Sequence, residues 1–143
     1  MTADEIIQLL DLEPHPEGGY FRETHRDVVT LDNGRSCATA IYFLLKKGQA
    51  SHWHTVDATE IWHWYSGDPL ALRIAAPDSQ AERVLLGPDL SAGQFPQRIV
   101  PNGHWQSAET LGDFTLVGCT VSPAFDSDGF VLAEQGFKPG RHR

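Results

Sequence analysis

The sequence predicts an all-β chain, an antiparallel sandwich or barrel behind one short N-terminal helix. Three observations carry that prediction. From Gly19 onward the chain breaks into short runs rich in β-branched and aromatic residues. These runs recur at roughly 8–12-residue spacing, bounded by Gly, Pro, Asn and Asp. No helical periodicity alternates with them, which argues against a parallel α/β sheet.

The helix comes first. Thr2 followed by Glu5 fits a capping box, and Ile6, Leu9 and Leu10 repeat at helical spacing, so residues 2–11 read as an amphipathic helix. Pro14 and Pro16 stop it. Strands are predicted near 20–26, 36–45, 50–54, 58–65, 69–76, 81–86, 96–100, 104–108 and 113–121. The turns between them include LDNGR (31–35), SGDP (66–69), APDSQ (76–80), GPDLSAG (87–93) and VPNGH (100–104). A further helical turn is expected at 128–135, followed by a loose basic tail at 136–143. The 143 residues suit a single domain, 1–143.

Composition narrows the function. A hydrophobic fraction of 41% with 21% charged residues is ordinary for a globular protein, and no apolar run is long enough to span a bilayer. The formal charge of −8 repels phosphate backbones, so no nucleic-acid partner and no membrane are expected. The opening MTADEIIQLL lacks a basic segment followed by an apolar stretch, which makes a cytoplasmic location the expectation. Cys37 and Cys119 sit in apolar, β-branched surroundings and read as small buried hydrophobes rather than a disulfide. No G-x-S-x-G elbow or phosphate-binding glycine loop occurs.

Chemistry concentrates in GQASHWHTVDATEIWHWYSG (48–67). Strand alternation puts His52 and His54 on one face, and Glu60, Trp62 and Trp64 on one face of the next strand. With 55–59 as the turn, a hairpin would bring two imidazoles and a carboxylate together. That ligand type suits iron, manganese, nickel or zinc with positions left open for a substrate. His63 has the opposite parity. Trp53 and Trp105 also point away, as sheet-packing or dimer-contact residues.

The spacing G-x3-H-x-H-x5-E-x6-G, followed by PNG and a His/Gln pair, resembles the two sequence motifs of the cupin superfamily. HPEGGYFRETHR (15–26), EIWHWYSGDPL (60–70) and VPNGHWQSA (100–108) look like the single-domain cupin-5, or DUF985, group. The resemblance implies a cupin jelly-roll β-barrel and a homodimer. It implies a metal set of His52, His54 and Glu60 completed by Gln106, which stands where cupins usually have a third histidine, or by His104. Glu17, Tyr20 and Arg22 would contact a ligand together with Trp62, Trp64 and His104, while His54 and Glu60 would be catalytic. The group is also distantly similar to metal-free deoxysugar 3,5-epimerases.

The functional expectation is therefore a barrel that binds a small polar metabolite. Three forms of it stand open: a metal-dependent enzyme acting on a carbonyl- or hydroxyl-bearing substrate, a metal-free epimerase-like enzyme, and a binding barrel without chemistry.

Overall fold

The computed structural model describes residues 1–140. Helix α1 (Ala3–Leu10) starts with the capping box read from the sequence. Thr2 Oγ1 accepts from the Glu5 N–H at 3.2 Å, and the Glu5 carboxylate accepts from the Thr2 N–H at 2.9 Å. Asp11, in the left-handed region, ends it. Ile6 on its inner face packs with Leu12, Leu44 and Leu116, so α1 covers the outside of a sheet rather than the barrel interior.

Among the described residues twelve strands follow: β1 (Glu13–Pro14), β2 (Tyr20–Arg26), β3 (Thr39–Lys46), β4 (Ser51–Thr55), β5 (Thr59–Gly67), β6 (Leu70–Ala75), β7 (Glu82–Leu86), β8 (Gln94–Phe95), β9 (Gln97–Val100), β10 (Trp105–Thr110), β11 (Phe114–Ser122) and β12 (Val131–Leu132). They form two six-stranded sheets, ordered β1-β2-β3-β11-β5-β9 and β12-β4-β10-β6-β7-β8. Pairing is antiparallel except between β7 and β8. The two sheets face each other as a jelly roll, and Phe43, Leu72, Val100 and Val117 fill one end of the interior.

Each predicted strand is present within a few residues. The short strands β1, β8 and β12 were not predicted, because two residues carry no alternation to read. The helical turn expected at 128–135 is instead a 3-10 turn at Ser127–Gly129 followed by β12, which adds to the edge of β4. Of the tail expected to be loose, residues 141–143 lie outside the described residues. Phe137, within its first part, packs on Trp53 and Trp105, with ring centroids 6.2 and 4.4 Å apart. Both cysteines are free thiols. No described helix is long and apolar enough to cross a membrane.

One connection differs from the hairpin expected around 55–59. β4 and β5 do not pair: β4 lies between β10 and β12 in one sheet, and β5 between β11 and β9 in the other. Their inward side chains therefore meet across the barrel interior instead of side by side.

Candidate active site

At the end of the barrel away from its packed core, the two sheets enclose a cavity of about 250 Å³. Its walls are mostly apolar, with Phe21, Ile41, Val56 and Phe130 among them, and its polar groups are chiefly His15, Glu17, His54 and Glu60. Among the described residues no Lys or Arg lines it.

His54 enters from β4. Its side chain is 2% exposed, its Nδ1–H donates to the His52 carbonyl at 2.8 Å, and its Nε2 lies 3.1 Å from Glu17 Oε2. Glu17 comes from the turn before β2, and its Oε1 accepts from the Ser51 hydroxyl at 2.8 Å. Glu60 enters from β5, and its Oε1 accepts from the Gln106 Nε2 amide at 3.0 Å. Gln106 in turn accepts, at Oε1, from the Trp62 indole N–H at 2.9 Å. A chain of hydrogen bonds thus runs from the core tryptophan to the carboxyl in the cavity.

Burial sets the charge states. It pushes the Glu17 carboxyl up to about 8, opposed by the Ser51 hydrogen bond. It pushes Glu60 up to about 7, opposed first by the nearby His54. The same burial holds His54 below its ordinary value and His15 at about 4. The 3.1 Å contact between His54 and Glu17 has the geometry of an ion pair. Because desolvation disfavours both charged forms, the pair is best written neutral: His54 keeps its Nδ1–H for the backbone, and Glu17 donates its carboxyl proton to Nε2.

Not every predicted site residue reaches the cavity. His52 is exposed on the outer side of the barrel. The cause is a β-bulge: Gln106 pairs with His54 but Ala108 with Ser51, so β4 holds one extra residue and both Ser51 and His54 point inward. His104 is also outside, beside Ile74, Pro101 and Gln80, and its turn position explains this. Tyr20 packs under α1, and Arg22 reaches the end of that helix, 3.4 Å from Asp11 and 3.5 Å from the Leu10 carbonyl. Phe21 and Glu23, of opposite parity, face the cavity instead. Trp62 is core, acting on the site only through Gln106. Trp64 packs against the core with its N–H on the Asp68 carbonyl. His63 lies on the outer face beside Thr120.

Cavity groups given no role by the sequence reading include His15, Glu23 and Phe130, whose ring centroid lies 5.3 Å from that of His54. For His15 a signal existed, since it stands two residues before Glu17 in the same turn.

The donors do not fit a metal centre. Among the described residues no three His, Cys, Asp or Glu side chains are arranged to hold an ion. Gln106 cannot supply the missing ligand as it stands. Indole is only a donor, so its bond to Oε1 turns the amide NH₂, not the oxygen, toward Glu60.

Residues 4–133 match the family described as "Cupin superfamily (DUF985)". The chain belongs to that family. This cupin is similar in structure to protein SO0799 from Shewanella oneidensis, with a TM-score of 0.91 and 40% identity, covering 94% of this chain and 86% of the other. It is 27% identical to the uncharacterized protein YML079W of Saccharomyces cerevisiae, over 96% of this chain and 79% of the yeast protein. An oxalate decarboxylase variant from B. subtilis has a TM-score of 0.64 at 16% identity, over 87% of this chain and 31% of that one, a likeness of fold alone.

Proposed function

We propose that this cupin binds a small uncharged metabolite bearing a carbonyl or hydroxyl group and moves a proton on it without a metal. The observation that carries the reading is the confinement of two carboxyls, pushed to about 8 and about 7, with a neutral histidine in one mostly apolar cavity. Among the described residues no Lys or Arg lines the cavity, which favours uncharged ligands, since an anion would meet carboxyls and neutral imidazoles without a cation to pair with. The volume of about 250 Å³ is below the ~300–1,000 Å³ of pockets for drug-sized ligands, which favours a small one.

In this mechanism Glu60, divided between acid and base near neutral pH, takes a proton from the carbon next to the carbonyl. The electron pair of that C–H bond moves onto the carbonyl oxygen as an enolate. Glu17 gives its carboxyl proton to that carbon as the enolate electron pair forms the new C–H bond and the carbonyl is restored; exchange with solvent then reprotonates Glu17 and deprotonates Glu60. Gln106 holds Glu60 in place through the bond at 3.0 Å.

The test is deuterium incorporation. A panel of small ketoses, aldoses and hydroxyketones is first screened for thermal stabilisation of the protein. Those that bind are incubated in D₂O with chelator and followed by proton NMR. Exchange next to the carbonyl is expected with wild-type protein and chelator, and its loss is expected in Glu60→Gln. Binding without exchange would contradict the chemistry and leave a binding barrel.

A further inference from the structure

The turn that delivers Glu17 also delivers a second imidazole. His15 begins a tight loop in which its N–H donates to the Gly19 carbonyl at 2.9 Å and its carbonyl accepts from the Gly18 N–H at 3.0 Å. The Glu17 N–H donates to His15 Nδ1 at 3.0 Å. A backbone N–H can only donate, so Nδ1 is the acceptor nitrogen and the neutral ring carries its proton on Nε2. Edge contacts with Phe21 and Phe43, at 4.4 and 5.7 Å between centroids, fix the plane of the ring.

The side chain is 10% exposed and lines the cavity, yet Nε2 has no protein partner among the described residues. Every fully buried side-chain N or O atom among the described residues has a hydrogen-bond partner, so Nε2 is open to the accessible space of the cavity, where a ligand oxygen can replace solvent as its acceptor. The titratable groups facing it are Glu17, Glu23, His54 and Glu60. Among the described residues none of them forms a hydrogen bond with Nε2, and Glu17 lies instead on the Nδ1 side, with its Oε2 3.9 Å from that nitrogen.

We propose that the Nε2–H of His15 receives the carbonyl oxygen of the ligand, so that the cavity selects uncharged molecules carrying a carbonyl. This rests on the proton-transfer reading of the same cavity and gives it the electrophile it lacked. When Glu60 removes the neighbouring proton, negative charge develops on the oxygen, and a pre-aimed N–H stabilises that charge more than it does the ground state. Burial holds the ring near 4, so it acts at neutral pH as a neutral imidazole and does not draw carboxylates in as a cation would.

Carbonyl-¹³C-labelled cyclohexanone and dihydroxyacetone serve as probes, with infrared detection of the bound C=O stretch. The expected result is a lower stretching frequency in wild-type protein than in His15→Phe, with partial recovery in His15→Gln, which restores a donor. Affinity should fall by about fivefold in His15→Phe, as for one lost hydrogen bond. A second measurement needs no variant: ¹⁵N NMR of the wild-type imidazole at neutral pH should show the Nε2–H tautomer. An Nδ1–H or doubly protonated ring, an unchanged stretch in His15→Phe, or failure of both probes to bind would overturn the proposal. The two readings separate cleanly. A shifted stretch without deuterium exchange keeps His15 and overturns proton transfer, whereas exchange at the wild-type rate in His15→Phe does the reverse.

Discussion

The indole N–H of Trp62 donates to Oε1 of Gln106 at 2.9 Å, and that contact decides which end of the amide faces Glu60. Both residues are fully buried, so neither has water as an alternative partner. Replacing Trp62 with Phe keeps most of the apolar volume but orphans the amide oxygen. A loss of about 1–3 kcal/mol in chemical denaturation is expected. A loss within experimental error would mean that the amide finds another arrangement.

The same orientation predicts weak metal binding. Incubation with iron, manganese, nickel or zinc, followed by desalting and elemental analysis, should leave well under stoichiometric metal. Chelator should not change the melting temperature. His52→Ala should behave as wild type in both assays, because that imidazole lies outside the barrel. Stoichiometric metal that disappears in His54→Ala would contradict the assignment of donors.

Burial of the carboxyls makes stability depend on pH. Glu17 binds its proton more tightly folded than unfolded, with the value raised from 4.5 to about 8. Its contribution is therefore fully present below 4.5 and lost as pH rises through about 8. Glu60 acts in the same direction, up to about 7. His15 acts oppositely: its contribution is present above 6.5 and lost as pH falls through about 4. The melting temperature should fall on the alkaline side, and Glu17→Gln should flatten that limb. An identical slope in the variant would show that Glu17 is ionised in the folded protein.

Gly18 sets how closely the Glu17 turn approaches β4. Its φ is +107°, and a Cβ there would lie 2.0 Å from the Ala50 carbonyl oxygen. The left-handed conformation alone costs a non-glycine residue about 1–2 kcal/mol. Gly48, also in that region at +83°, has nothing within 4 Å of the same position. Gly18→Ala should therefore destabilise more than Gly48→Ala, and only Gly18→Ala should also lose the alkaline pH dependence, because it displaces Glu17. Equal effects would contradict the close approach.

The strands were legible because their alternation and turn residues agree, from β2 through β11 apart from the two-residue β8. Helix α1 was legible from its capping box. Within the site, the inward parity of Glu60, and of Gln106 after its turn, could be read from spacing, and the structure places both beside His54. His52 could not be placed, because a bulge adds a residue to β4 and reverses parity without any mark in the sequence. Tyr20 and Arg22 were assigned to the wrong face for a different reason. Since α1 covers the outside of β2, both faces of that strand meet apolar neighbours, and alternation no longer tells inside from outside. The approach of the Glu17 turn to β4 is a tertiary event, joined by the bond from the His52 N–H to the Glu17 carbonyl at 2.9 Å.

Near neutral pH the cavity holds Glu17 mostly as an acid and Glu60 divided between acid and base. That division is tested most directly by ¹³C NMR titration of the glutamate side-chain carbons, assigned through Glu17→Gln and Glu60→Gln. The account predicts two late titrations, near about 8 for Glu17 and about 7 for Glu60. Titration of both near the ordinary 4.5 would contradict it, leaving two carboxylates that call for a cation instead of an acid at Glu17 beside a base at Glu60.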